Sequence, residues 1–322
     1  MKTDLTIAVG QKFALASLHE ASVVLTQPMP LSSEFWLSPS PPVDVDSTWT
    51  KWLGTLRAEE VAKANVFIVS VKQSVRPELL DNENEVLKEA VQRFFYGMLF
   101  VGVPRYSASS LLTGASLDGV PGIREFGALD EYYIAHGARP HTFGLSEFER
   151  AFLISEGLRS IFADPSRYLR LRRGINAYLK ALREESTYHR IHQLVRSLEA
   201  LILPPKGATK KHFKERCRLF AGEAPAAASV LGEAYELRSR VEHLRDWDDV
   251  LPAATEDERH EEFSHRARQL EALARFAYAR IFTTPTLLVH FENTQALEKL
   301  WETDSDARRV LWGEQLDITL VS

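Results

Sequence analysis

The chain of 322 residues carries 39 Lys+Arg against 44 Asp+Glu, a formal charge of -5, with 45% hydrophobic residues. That length can bury two cores, and the slightly acidic balance excludes a globally basic nucleic-acid or membrane binder while leaving room for a local basic face. One cysteine, Cys217, excludes an intrachain disulfide and a cysteine-rich zinc module. No apolar run approaches the roughly 18–20 residues that span a bilayer, and no leader pattern opens the chain. A soluble, cytoplasmic protein with no membrane partner is therefore expected.

Charge density rises sharply near residue 145: residues 1–145 hold 12 Lys+Arg and 16 Asp+Glu, and residues 146–322 hold 27 and 28. The shift predicts an α+β protein in two domains, a mixed α/β one over 1–145 and an all-α one over 146–322. In the first, Lys12–Thr26 and Asn65–Val71 are short, rich in Val, Phe and Leu, and flanked by turn formers, which predicts strands. Pro39–Ser47 reads as a loop. Apolar residues at Trp49, Trp52, Leu53 and Leu56 define one face of a packed helix. Asp81 precedes Val86, Leu87, Ala90, Val91, Phe94, Phe95 and Met98, an amphipathic helix with acids in its first turn. Gly114, Gly119, Gly122 and Gly127 lack a dinucleotide fingerprint and read as turns and bulges between strands. His136 and His141 have no clustered carboxylate or thiol beside them, so no metal site is expected there. The domain reads as a sensor or regulatory element for an unknown ligand or protein.

From Ser146 onward the apolar period becomes 3.6. Ser146 with Glu149 three residues on fits a capping box, and Asp164-Pro165 separates this helix from one carrying Tyr168, Leu171, Ile175, Tyr178, Leu179 and Leu182. A third helix follows Ser186 and stops at Pro204-Pro205. A fourth spans Thr209–Ala221, a fifth starts at Pro225 and runs to about Trp247, and a sixth spans about Glu256–Phe282. Six helices with short breaks predict an antiparallel bundle with a C-terminal extension. His189 and His192 lie three apart on the third helix with no visible third ligand, and His260 and His265 lie among exposed charges.

The fifth helix carries Arg238 and His243. At about 100° per residue they lie about 140° apart, too far round to cooperate on one helix. Glu236 with Arg240, and Arg238 with Glu242, are i,i+4 opposite charges that would stabilise an ordinary surface helix.

The segment Tyr235-Glu-Leu-Arg-Ser-Arg-Val-Glu-His243 nevertheless resembles the Arg-x4-6-His signature of HEPN domains, in the Arg-Ser…His form of Apea-like HEPN proteins. Ile191-His-Gln-Leu-Val-Arg-Ser-Leu-Glu-Ala-Leu-Ile and Phe213-Lys-Glu-Arg-Cys-Arg-Leu-Phe-Ala resemble the preceding family helices. The likeness covers about residues 146–282. It departs from the family at Ser239, where many catalytic members have Asn, Asp or His, and at Glu242, an acid directly before the histidine.

The resemblance implies an all-α HEPN-type bundle, a homodimer whose facing helices combine two arginines and two histidines, and metal-independent endoribonuclease chemistry with no cofactor. His243 would move a proton and Arg238 would hold the phosphate and its developing charge, with Ser239, Arg240 and Glu242 orienting them. RNA would need positive surface. The run Lys206, Lys210, Lys211, Lys214, Arg216 and Arg218 and the cluster Arg167, Arg170, Arg172 and Arg173 are candidates, as are ordinary solvated faces. By family analogy the expected role is a toxin or anti-phage effector. The alternatives are a catalytically inactive HEPN dimer that binds protein or nucleic acid, and a bundle that transmits ligand binding from the N-terminal domain.

Overall fold

The computed structural model describes residues 5–19, 21–45, 47–164, 166–205, 207–251 and 255–321, with 108 and 109 described by their backbone alone. Glu20, Asp46, Pro165 and Lys206, which fall in stretches read above, lie outside the described residues. Among the described residues the chain is mixed α+β, with six strands and twelve α-helices. It divides into two units, Met1–Glu131 with Pro140–Ser155, and Tyr132–Arg139 with Glu156–Ser322. No described helix is long and apolar enough to cross a membrane.

The first unit is built on an antiparallel sheet of β1 (Gln11–His19), β2 (Met29–Pro30), β3 (Phe35–Ser38), β4 (Val66–Gln73), β5 (Ser107–Leu117) and β6 (Val120–Ala128), in the order β2-β3-β4-β1-β5-β6. β1 and most of β4 are buried along their length because both faces of the sheet are covered. Side chains alternate across a strand. Phe13 and Leu15 of β1 therefore join Phe67 and Val69 of β4 in a core shared with Trp49, Leu53, Ala58 and Val61. Those last four residues belong to α1 (Ser47–Leu53) and α2 (Thr55–Lys63).

The single helix expected through Trp49 and Leu56 is instead two. Gly54 adopts φ +78, a conformation that costs glycine little and interrupts the helix. The break turns the expected face: Trp52 is 63% exposed and Leu56 77% exposed. Between β5 and β6, Asp118 and Gly119 both have positive φ, which makes the two-residue hairpin whose twist matches the strands.

α3 (Asn82–Leu99) lies on the other face, opened by a capping box between Asp81 and Asn84. The fully buried Lys12 of β1 points to this helix start, with Nζ 2.7 Å from Asp81 and 3.2 Å from Glu83. Burial pulls the Lys12 amine down, and the two carboxylates outweigh it so that the net direction is up. A charge buried on a central strand is tolerated because its partners hold it ionised.

The remaining helices are α4 (Leu145–Ala163), α5 (Leu169–Arg183), α6 (Thr187–Ile202), α7 (Thr209–Ala221), α8 (Pro225–Glu242), α9 (Glu256–Thr283), α10 (Pro285–Leu288), α11 (Thr294–Glu302) and α12 (Ser305–Trp312). α4 opens one residue before the expected box. The Gly144 amide donates to Glu147 Oε2 at 3.0 Å, so Glu147, three residues beyond Gly144, fills the role expected of Glu149.

α8 stops at Glu242 and does not reach Trp247. Leu244 takes φ +53, the Leu244 amide donates to the Val241 carbonyl, and the Arg245 amide donates to the Arg240 carbonyl. These are the two bonds of a Schellman closure, made here with leucine where glycine is usual.

α6 is the central helix of the second unit. Its buried Arg190 pairs with Glu271 of α9 at 3.2 Å, and Tyr278 Oη of α9 donates to the Ser197 carbonyl at 2.8 Å. α5 approaches most closely at Gly174, where a Cβ would come within 2.0 Å of Tyr278 Oη and 2.6 Å of Ala200 Cβ.

The Glu199 carbonyl of α6 takes the C-cap amide of Leu203 at 3.3 Å, those of Ala200, Leu201 and Ile202 have no partner within the helix, and side chains from elsewhere reach all four. Arg170 donates to Glu199 and Ala200, Trp301 Nε1 to Leu201, and Arg216 to Ile202, at 2.7, 2.9, 3.2 and 2.7 Å respectively. Trp301 belongs to α11, which ties the extension beyond α9 to the bundle. Trp301→Phe would leave the buried Leu201 carbonyl without its donor and should lower unfolding free energy by about 1–3 kcal/mol, read as a lower urea midpoint at unchanged slope.

Candidate functional site

The last turns of α8 carry Arg238, Ser239, Arg240 and Glu242, and His243 is the C-cap. Arg238 is the most enclosed of the charged residues here, with its side chain 17% exposed. Its Nη1 lies 2.5 Å from Glu242 Oε2, its guanidinium lies 5.9 Å from the Tyr235 ring centre, and its Nε is buried without a hydrogen-bond partner among the described residues. Arg240 turns away to fix the chain after the helix, bonding Glu236, the Asp246 carbonyl and Asp249 at 3.2, 3.1 and 2.9 Å. Ser239 contributes its carbonyl, which accepts the His243 amide at 3.2 Å.

His243 is exposed at the helix end and is not among the residues lining the adjacent cleft. Among the described residues no hydrogen bond joins its side chain to Arg238, whose ion pair is with Glu242. The histidine that Arg238 faces is His192 of α6. Burial pushes the His192 imidazole below its ordinary value, and the nearby Arg238 charge pushes it further down while Glu242 opposes. Glu199, two turns further along α6, is pushed up by burial, against the pull of Arg238, Arg170 and Arg196. His192, Arg196 and Glu199 recur at i, i+4 and i+7, one face of a helix. That spacing was the sequence signal for them, and it was not used because it pointed to no partner helix.

The cleft between α6 and the end of α8 has a volume of about 750 Å³ and is lined by Lys180, Glu184, His192, Glu242, Leu244 and Trp247, with His189 and Tyr188 at its rim. Trp247 is held from behind by Phe263 and His260, with ring centres 5.0 and 5.5 Å apart. His189 and His192 thus share a cleft, but among the described residues no group of three or more His, Cys, Asp or Glu could hold a metal ion.

The basic run on α7 has mixed assignments. Lys210 pairs with Glu236 at 2.7 Å, Lys211 lies 3.8 Å from Glu215, and Lys214 lies along Gly232 of α8. Arg216 is consumed by the end of α6, donating also to the Leu203 carbonyl at 2.8 Å and lying over the Trp301 ring, and burial lowers its pKa. Arg218 is paired with Glu223. Lys210, Lys211 and Lys214 keep ammonium groups at or near the surface, whereas the two arginines have structural partners.

No family model, no curated protein and no solved structure matches the chain.

The lowered His192 value has a thermodynamic consequence. The folded state binds its proton less readily than the unfolded chain, so this group costs stability as pH falls below about 6.5 toward the folded value. His192→Gln should therefore lose less stability than the wild type between pH 7.5 and 5.5, measured as the difference in urea midpoints. An equal difference in both proteins would show that folding does not lower the His192 value.

Proposed function

We propose that the helical unit is a HEPN-type domain and that two copies of the chain cleave RNA without a metal ion, using Arg238 and His243. The observation that carries this reading is the placement of the two residues on α8. Arg238 is held in a half-buried setting with its Nε without a partner among the described residues, and His243 is the exposed C-cap at the helix end. A second α8 lying across the first would bring the His243 of each copy to the Arg238 of the other.

In such a site the 2′-hydroxyl of one nucleotide attacks the adjacent phosphorus. One imidazole takes the hydroxyl proton, and the second gives a proton to the departing 5′-oxygen. The 2′-O–P bond forms and the P–5′-O bond breaks, giving a 2′,3′-cyclic phosphate and a 5′-hydroxyl. The guanidinium of Arg238 stabilises the charge that accumulates on the non-bridging oxygens. Glu242 must release Arg238 for this to occur. Lys210, Lys211 and Lys214 would guide the strand electrostatically, and the sheet-based unit would restrain or trigger the site. A toxin or defence role follows from the family likeness alone.

A second reading has its own observation. The 2.5 Å contact with Glu242 neutralises Arg238, and an arginine so paired suits a catalytically silent HEPN dimer that binds a protein or nucleic acid.

Labelled RNA incubated with purified full-length chain in EDTA separates the two. The nuclease reading predicts 2′,3′-cyclic ends, and a fall of about a hundredfold or more in rate for Arg238→Ala and for His243→Ala. Equal cleavage by all three proteins removes the proposed site, and no cleavage by the wild type favours the silent module.

A further inference from the structure

A second cleft in the helical unit, distinct from the end of α8, runs between α5 and α6 and has a volume of about 420 Å³, within the range that takes a small ligand. The close approach of the two helices at Gly174 and Ala200 sets its geometry. Arg170 and Arg173, one turn apart on α5, face Arg196, one turn before Ala200 on α6, and all three line the cleft.

The balance of charge there is not closed by the chain itself. Arg170 spends its donors on the Glu199 and Ala200 carbonyls, yet these neutral partners leave its positive charge in place. Burial lowers the Arg170 pKa, with repulsion from Arg173 adding to the effect. Arg173 and Arg196 are exposed, and neither has a hydrogen-bond or ion-pair partner among the described residues. Two acids share the cleft. Glu292 is already paired with Arg167, and the Glu199 carboxyl, its pKa raised by burial against the pull of Arg238, Arg170 and Arg196, is one acid against three guanidinium groups. What remains is two unspent guanidinium forks beside a third cation, with Leu169 and Ala177 as an apolar wall.

We infer that this cleft binds a phosphate group, gripped between Arg173 and Arg196. A carboxylate offers two oxygens in one plane and suits one fork, whereas a phosphate offers three or more oxygens in a tetrahedral arrangement and can engage two forks at once. The cation of Arg170 adds a fixed field without needing its donors. The apolar wall suits the sugar or base attached to such a phosphate. The inference does not rest on cleavage at α8: the cleft binds its phosphate whether or not Arg238 and His243 do chemistry.

The same phosphate chemistry has two sources, a free nucleotide or a nucleic-acid backbone. Isothermal titration of the full-length chain with uridine 5′-monophosphate and with a five-nucleotide oligouridylate distinguishes them. Saturable binding of the mononucleotide as tight as that of the oligomer assigns a free phosphate monoester, and binding of the oligomer alone assigns a strand. In either case Arg173→Gln and Arg196→Gln should each weaken binding by about tenfold, while Lys51→Gln, at an exposed residue of α1, leaves it unchanged. Both arginines are exposed, so the variants should melt with the wild type. The inference is overturned if neither probe binds saturably, if both variants bind as the wild type does, or if Lys51→Gln weakens binding as much as they do.

Discussion

The buried C-terminus of α6 is the constraint on which the helical unit depends. Three carbonyls end there with no helical partner, and the Glu199 carbonyl before them takes the C-cap amide of Leu203 as well as Arg170. Arg170 of α5, Arg216 of α7 and Trp301 of α11 converge on them, so the position of α6 fixes where three other helices can lie. Gly174 lets α5 come close enough for Arg170 to reach. Tyr278 and Glu271 of α9 satisfy polar groups further back along the same helix.

That convergence also decides what the basic residues are free to do. A run of arginines and lysines in the sequence looks like one surface, yet it separates into two kinds in the fold. Arg170 and Arg216 are structural donors. Arg173 and Arg196, on the same two helices as the carbonyls and their cap, face solvent with their forks unspent. The division follows from which side of α5 and α6 each residue occupies, and it places the uncompensated charge beside the close approach of the two helices at Gly174. Glu199 joins this region to α8, since Arg170, Arg196 and Arg238 all act on its carboxyl.

Much of the architecture was legible in the residues. The switch from short apolar runs to a 3.6 period separated sheet from helices, and α7 was read with the bounds Thr209–Ala221 because Gly222 marks its end plainly. The failures share a cause. α8 ends at a leucine in the left-handed region, which no local preference announces, and the aromatic stripe from Trp49 broke at one glycine. Lys12 opens a stretch read only as a strand and is buried, and its partners Asp81 and Glu83 lie some seventy residues away. For the candidate site, spacing gave the pairing of Arg238 with Glu242 and the family resemblance singled Arg238 out, whereas the neighbours from α6, His192 and Glu199, depend on helix packing that spacing within one helix does not encode.

The proposed chemistry stands on two α8 helices meeting, because in one chain Arg238 is paired with Glu242 while His243 lies exposed at the helix end. Sedimentation equilibrium of the full-length protein at micromolar concentration tests this most directly. The account predicts a mass twice that of the 36.5 kDa chain, and a protein that remains a monomer would contradict a site built from two copies.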